Sequence, residues 1–397
     1  MRITGVRLRQ LVGYFEFAGR FWEERLARPV DVYPERNLDG PPRTPRMPDG
    51  RYRVEAVYLQ VETDEEVTGL GGPITLDQAA VIGRELAPLV VGQDPRATER
   101  IWDMLYRDAV HGRKGVVMQA LSALDCALWD LKGRWVGAPV YRLLGGPTRE
   151  RLPCYASALG YSLEPELVRQ RARELQAQGF AAQKWFFRHG PGEGRRGMER
   201  NLELARTLRE TLGDGVDIML DCWMSWDVGY ALQMAERLRE LEPRWIEEPV
   251  LPDLIASCAE IRRAIRIPVA TGEHEYTRWG IKQLLDAGAA DVLQPDTYWA
   301  GGITEMVKII ALCSAYDRPI IPHGHSVPAN VQLTAAQPRS VIPLVEYLVK
   351  WNVIHQLFFA APLVPVNGEI ALPEGPGLGV ELDEGKIAEQ RELRWDR

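Results

Sequence analysis

The chain has 397 residues with 48 basic and 55 acidic side chains, a formal charge of −7. That length is too great for one small core and suits a barrel of about 250 residues joined to a second domain. No basic run marks a nucleic-acid surface, no apolar stretch approaches membrane-spanning length, and MRITGVRLRQ lacks a signal-peptide core; five scattered cysteines without metal-type spacing point to reduced thiols in a cytoplasm.

In chain order, RITGVRLRQLV (2–12) and YRVEAVYLQVETD (52–64) alternate as half-exposed strands, with a proline-rich segment between them. ATERIWDMLYRDAV (97–110) and GVVMQALSALDCALWDLKGRWVG (115–137) are helical by apolar spacing, so an α+β domain comes first. From about residue 150 short apolar runs that end in a polar residue alternate with amphipathic stretches. VDIMLD (216–221), RWIEEP (244–249), PVATGE (268–273), DVLQPD (291–296) and PIIPH (319–323) are the runs. Strands alternating with helices predict βαβ units and a parallel sheet, and at least five units in series favour a closed (β/α)8-type barrel. No Gly-x-Gly-x-x-Gly opens a helix after a strand, which removes support for a dinucleotide-binding open sheet. The turn-rich tail from 366 is too short to fold alone and is expected to pack back on the first domain.

The ends of the runs carry the chemistry. Lys184, Asp221, Glu247, Glu273, Asp296, His323 and Glu346 follow one another at steps of 37, 26, 26, 23, 27 and 23 residues, about one βα unit each after the first. All are expected at the C-terminal ends of barrel strands, where barrel enzymes place their catalytic groups. Any one acid alone is more often a helix cap or a surface ion pair, and a lone histidine after an apolar run more often packs with a hydrogen bond. Capping does not demand acids at three consecutive strand ends followed by Asp and His at the next two. Three converging carboxylates repel one another unless a cation neutralises them, and all-oxygen ligation suits Mg2+. A substrate carboxylate held there becomes an enediolate when its α-proton leaves, with Lys184 placed to stabilise the charge and Glu346 across the mouth. His323 is the expected base and Asp296 its orienting carboxylate. His274, beside Glu273, is placed either to touch substrate or to cover the metal site.

These residues sit in a recognisable frame. ALSALDCALWDLKG (120–133), followed by PV (139–140) and LLGG (143–146), and then WIEEP, TGE, QPD and PHG in order, resemble the enolase superfamily in its mandelate racemase branch over nearly the whole chain. The resemblance implies an α+β capping domain at 1–130, a catalytic barrel at 131–365 and a C-terminal segment at 366–397 that completes the cap. It implies metal ligands at Asp221, Glu247 and Glu273, a His323–Asp296 dyad, and a homo-oligomer, either dimer or octamer. Many racemases of this branch carry Lys-x-Lys on the second strand, where this chain has Lys184-Trp185-Phe186. With one proton-transfer group missing, elimination fits better than racemisation. MLDCWMSWDV (219–228), HGP (189–191) and PGLGVEL (376–382) are similar to the L-rhamnonate dehydratase group, which also has the single lysine.

The expected activity is therefore dehydration of a sugar acid, a 2,3-dihydroxy carboxylate, to a 2-keto-3-deoxy acid. The alternatives are a racemase or epimerase on the same scaffold and a catalytically silent carboxylate-binding barrel. The aromatic-rich segment Phe15–Trp22 and the loop 40–50 are expected to cover the mouth as a mobile lid, with Arg46 a candidate contact to a distal substrate group.

Overall fold

A computed structural model of the chain describes residues 1–37, 40 and 44–395. Strands β1 (Ile3–Phe15) and β2 (Tyr52–Thr63) form a long antiparallel pair with Leu11 opposite Ala56. β3 (Gly69–Ile74) continues the sheet. Gly69 and Gly71 let the helix Val116–Val136 lie directly on β3, because a Cβ at Gly69 would meet the Ala127 carbonyl at 2.2 Å. That helix runs through residue 130 without interruption.

The parallel sheet is assembled from β4 (Arg151–Ser157), β5 (Ala182–Phe186), β6 (Asp217–Asp221), β7 (Trp245–Glu247), β8 (Val269–Thr271), β9 (Val292–Leu293) and β10 (Val345–Leu348). Each pairs with the next as far as β9, and β10 pairs with β4. Between β9 and β10 the place of an eighth strand is taken by a single parallel bridge, Leu293 to Ile320, and the Ile320 N–H donates to the Val341 carbonyl at 2.9 Å. The run PIIPH is thus reduced from the expected strand to one bridging residue, since Pro319 and Pro322 have no N–H to give a ladder. Tyr155, Ala182, Met219, Trp245, Ala270, Ile321 and Leu344 fill the interior. β4, whose text LPCYAS ends in no charged residue, is absent from the runs picked out above. β11 (Glu369–Ala371) pairs antiparallel with β4, and β12 (Glu389–Leu393) pairs with β1. The tail therefore adds its last strand to the sheet of β1, β2 and β3.

The cap is fastened to the barrel by buried polar groups. The Asp125 carboxylate accepts from the Thr304 N–H at 2.8 Å and from the Thr304 hydroxyl at 2.6 Å, and Trp129 Nε1 donates to the same hydroxyl at 2.8 Å. Replacing Asp125 by alanine leaves those donors unpaired in a dry interface and is expected to cost about 1–3 kcal/mol. The check is thermal unfolding, with a native midpoint counting against this account of the interface.

The segment after β1 crosses the C-terminal ends of the barrel strands. The Glu23 N–H donates to the Gly160 carbonyl beyond β4 at 2.9 Å, and the Ala27 N–H to the Phe187 carbonyl beyond β5 at 2.7 Å. Phe21 and Trp22 are buried, Phe21 among the rings of Phe15, Phe17 and Tyr52 and Trp22 against Trp351 of the barrel, so this part of the lid is packed in place. Of the loop 40–50, residues 41–43 lie outside the described residues. The remainder approaches the same segment, with Trp22 Nε1 donating to the Thr44 hydroxyl at 2.7 Å. Among the described residues no helix is long and apolar enough to cross a membrane, and all five cysteines are free and buried.

Candidate active site

β5, β6, β7 and β10 deliver Lys184, Asp221, Glu247 and Glu346 to one buried cluster. Lys184 does not end its strand: β5 continues to Phe186, which sets the lysine two residues deeper in the barrel than expected. Glu346 is likewise the second residue of β10. From that depth the Lys184 ammonium reaches Glu346 at 2.8 Å, Asp221 at 3.3 Å and Glu247 in closer contact. Lys184 is 1% exposed. Burial pulls its pKa down, but Glu247 and Glu346 outweigh that and hold it well above the usual lysine range. Phe186, on the same face two residues on, presents its ring 5.4 Å from the ammonium.

Glu247 is fixed by more than the lysine. Trp245 Nε1 and Gln294 Nε2 both donate to its Oε2, at 2.8 and 2.9 Å. Asp221 pairs with Glu247 in register. Burial, then the Glu247 charge, push the Asp221 carboxyl well above the usual carboxylate range. Burial raises Glu273, two residues beyond the end of β8, to about 7. Ligand atoms of Glu248, Glu273 and His274 lie within 4.8 Å of one another. His274 Nδ1 is 2.9 Å from Glu248 and its Nε2 3.7 Å from Glu273. Glu273 thus lies beside the Glu248–His274 pair, and its charge also acts on Asp221. Glu248 was not singled out in the sequence, although the doubled glutamate of WIEEP is a visible signal. Backbone strain marks these turns: Trp223, Met224 and Glu248 have φ of 42°, 63° and 42°, a left-handed region that side chains rarely adopt.

His323 and Asp296 lie side by side. His323 Nδ1 is 2.7 Å from Asp296 Oδ2, and Nε2 is 3.4 Å from Glu273. The Tyr298 N–H donates to the other Asp296 oxygen at 2.7 Å, and Asn330 Nδ2 donates to the His323 carbonyl at 2.7 Å. Burial pulls the imidazole down, yet Glu273 and the Asp296 hydrogen bond outweigh it and raise His323 to about 10. The Gly324 N–H donates to Glu346 Oε2 at 2.9 Å, which ties that carboxylate to the histidine loop.

Arg46 is not brought to this cluster. It is exposed, bridges to Tyr52 in the cap, donates to the Gly50 carbonyl at 3.3 Å and lies over the Tyr52 ring. Arg46 is therefore engaged with its own turn.

A cluster of buried carboxylate oxygens around one ammonium suits a hard cation and an anionic substrate. The sequence matches the mandelate racemase/muconate lactonizing enzyme N-terminal domain over residues 43–145 and the enolase C-terminal domain-like family over residues 167–386. It is 36% identical to an L-rhamnonate dehydratase of Saccharopolyspora erythraea, across 96% of this chain and 97% of that protein. The L-rhamnonate dehydratase of Gibberella zeae has a similar structure, with TM-score 0.83 and 28% identity over 98% of this chain and 96% of that one. A second structure of the Gibberella zeae enzyme, complexed with Mg, gives TM-score 0.81 and 28% identity over 97% and 96% of the two chains. Fold, strand-end acids and both halves of the sequence agree that the chain belongs to the enolase superfamily, in its mandelate racemase/muconate lactonizing enzyme family.

Proposed function

We propose that the protein is a Mg2+-dependent sugar-acid dehydratase that converts an L-rhamnonate-like 2,3-dihydroxy carboxylate to a 2-keto-3-deoxy acid. The observation that carries this reading is the His323–Asp296 pair set against Glu273, with the ring of Phe186 on the side where a racemase needs its second proton-transfer group. Asp221, Glu247 and Glu273 are the residues that would hold the ion; burial first, and then neighbouring carboxylates, raise the Asp221 and Glu273 carboxyls. Magnesium, when bound, supplies the positive charge that a substrate carboxylate needs as it gains a second negative charge.

His323 removes the C2 proton through Nε2 while Asp296 steadies the Nδ1 proton. For this the imidazole must be neutral, and neutralising Glu273 cancels the attraction that chiefly holds the ring protonated. The Lys184 ammonium stabilises the enediolate. The C3 hydroxide then leaves with a proton returned by His323, and the resulting enol becomes the 2-keto-3-deoxy acid. The division into a cap at 1–130, a barrel at 131–365 and a returning segment at 366–397, an oligomeric assembly and a cytoplasmic setting are part of the same proposal.

The test is incubation of the Mg2+-loaded protein with a panel of aldonic and aldaric acids in deuterated water, followed by proton NMR. A dehydratase yields a 2-keto acid. Exchange at C2 without keto acid would instead identify a racemase or epimerase, and neither signal with any acid would identify a silent binder.

A further inference from the structure

The segment that crosses the barrel mouth is gripped by a buried lysine with no place in the chemistry. Lys350 stands in the first turn of the helix Val349–His355, directly after β10, and is 2% exposed. Its ammonium donates to the Phe21 carbonyl at 2.6 Å, the Gly160 carbonyl at 2.8 Å and the Glu23 carboxylate at 3.0 Å. An ammonium has three N–H donors, so each has an acceptor and the charge is buried without an unmet need. Two of the acceptors belong to the cap segment and the third to the loop after β4. A lysine present only for its methylenes would turn its head to water.

The next residue grips the same segment by a ring. Trp351 lies 5.1 Å from Trp22, and the Trp22 ring rests on Gly160, where a Cβ would come within 2.2 Å of it. The Glu23 carboxylate also accepts from the Ser162 N–H at 3.3 Å. At the far end of the segment Arg188, beyond β5, donates to the Asn37 carbonyl and to its side-chain oxygen, both at 2.8 Å. The protein thus clasps this segment at both ends with its own groups.

The clasp continues into the catalytic strands through backbone bonds. The Ala158 N–H, just after β4, donates to the Lys184 carbonyl at 2.8 Å. The Ala27 N–H donates to the Phe187 carbonyl at 2.7 Å, and the Phe187 N–H donates to the Asp221 carbonyl at 2.9 Å. Glu346 stands on β10, the strand that leads into the Lys350 helix. Lifting the segment would strip three acceptors from a buried ammonium, a costly step to repeat at every turnover.

We propose that Lys350 is a positioning residue for the dehydration: it locks Phe21–Ala27 across the ends of β4, β5 and β10 as a standing wall that stays shut while substrate enters and product leaves. The wall holds in place the strand ends that carry Lys184 and Glu346. The positioning role rests on the dehydratase reading, whereas the lock does not.

Amide hydrogen exchange of the Mg2+-loaded full-length protein tests the lock, and steady-state kinetics tests the positioning. The His323→Asn protein, which holds an aldonate without turning it over, is expected to exchange its Glu23 and Ala27 amides slowly and to change those rates by less than about threefold when the aldonate binds. Lys350→Met is expected to speed exchange of the Glu23 amide by at least about tenfold, with native rates kept in the β1–β2 pair. Well below its unfolding temperature its kcat is expected to fall by at least about tenfold, with Mg2+ affinity within about twofold of native, because strand ends shift while no ligand is removed. A role in folding alone would lower the unfolding temperature and leave kcat native. Adding Glu23→Gln to Lys350→Met is expected to speed exchange no further, since Glu23 acts through the ammonium.

A larger slowing of the Glu23 amide by aldonate reveals a wall that opens, and overturns the lock. Native exchange in Lys350→Met overturns the part of Lys350 in it, and fast exchange with native kcat overturns the positioning role; each leaves the dehydratase reading standing. Absence of turnover with every acid overturns that reading and the positioning role together, while the exchange rates of Lys350→Met still decide the lock. Should Lys350→Met fail to fold, Gly160→Ala, which presses a Cβ against the Trp22 ring, is expected to give the same local exchange and loss of kcat with the ammonium in place, and native values for both overturn the proposal.

Discussion

Replacing His323 by asparagine is expected to abolish both C2 proton exchange and keto-acid formation, a loss of about 10³-fold or more, while Mg2+ affinity stays near native. The asparagine removes the imidazole and none of Asp221, Glu247 or Glu273. Its companion, Asp296→Asn, makes a sharper prediction because the structure dictates how the new amide must sit. The Tyr298 N–H points at one Asp296 oxygen, 2.7 Å away, and His323 Nδ1 faces the other. The amide oxygen is held by Tyr298, so the amide NH2 turns toward Nδ1 and donates to it. The imidazole is then forced to carry its proton on Nε2, the nitrogen that must accept from substrate. Turnover is expected to fall by about 10²–10⁴-fold with the histidine still in place. Measured C2 exchange in deuterated water decides both cases. Native-rate exchange by His323→Asn would mean that another residue is the base.

The parts of this site that a reader can take from the sequence are those set by period and position. In a (β/α) repeat each strand ends at the mouth, so an acid or histidine ending an apolar run is placed without knowledge of any contact. Asp221, Glu247, Glu273, Asp296 and His323 were legible on that ground. Depth along a strand is not legible in the same way. The run AAQK gives no sign that β5 continues to Phe186, and the lysine is accordingly an interior cation bridging three carboxylates. β4 is not marked in this way because LPCYAS ends in serine, and PIIPH keeps bonds to β9 and the residues just after it through the Ile321 and His323 N–H groups while its prolines give none, so its strand shrinks to one bridging residue.

Contacts between distant segments leave no mark at all. Lys350 meets Phe21 across 329 positions, and Trp22 meets Trp351 with no motif to announce either. Gln294 lies inside the QPD motif, yet its hold on Glu247 is visible only once β7 and the loop after β9 are brought together. Arg46 shows the converse: a guanidinium in a proline-rich loop is chemically apt for a distal contact, but its own turn supplies the carbonyl it binds.

Lys184→Met is expected to act on both turnover and folding, and the two effects separate its roles. In the native protein the ammonium lies within 3.3 Å of Asp221 and 2.8 Å of Glu346 and in closer contact with Glu247, all of them buried. Removing it leaves three carboxylates facing one another in a site from which water is largely excluded. Breaking a buried pair in this way costs about 3–5 kcal/mol, even though the intact pair itself contributes little net stability. Trp245 and Gln294 still donate to Glu247, so part of that carboxylate's need is met. Among the described residues, Asp221 has no such support beyond the Trp223 N–H at 2.8 Å. The variant is therefore expected to unfold at a lower temperature in the presence of a chelator, and to recover more than the native protein does when Mg2+ is added. A cation bound by Asp221 and Glu247 would replace part of the missing charge, whereas in the native protein it adds to a charge already there. Turnover should remain about 10²-fold or more below native even at saturating Mg2+, because the lysine's donors to the developing enediolate are gone. Equal Mg2+-induced shifts in the two proteins would mean that the ion does not share these carboxylates with the lysine. Native turnover by the variant would remove Lys184 from the chemistry.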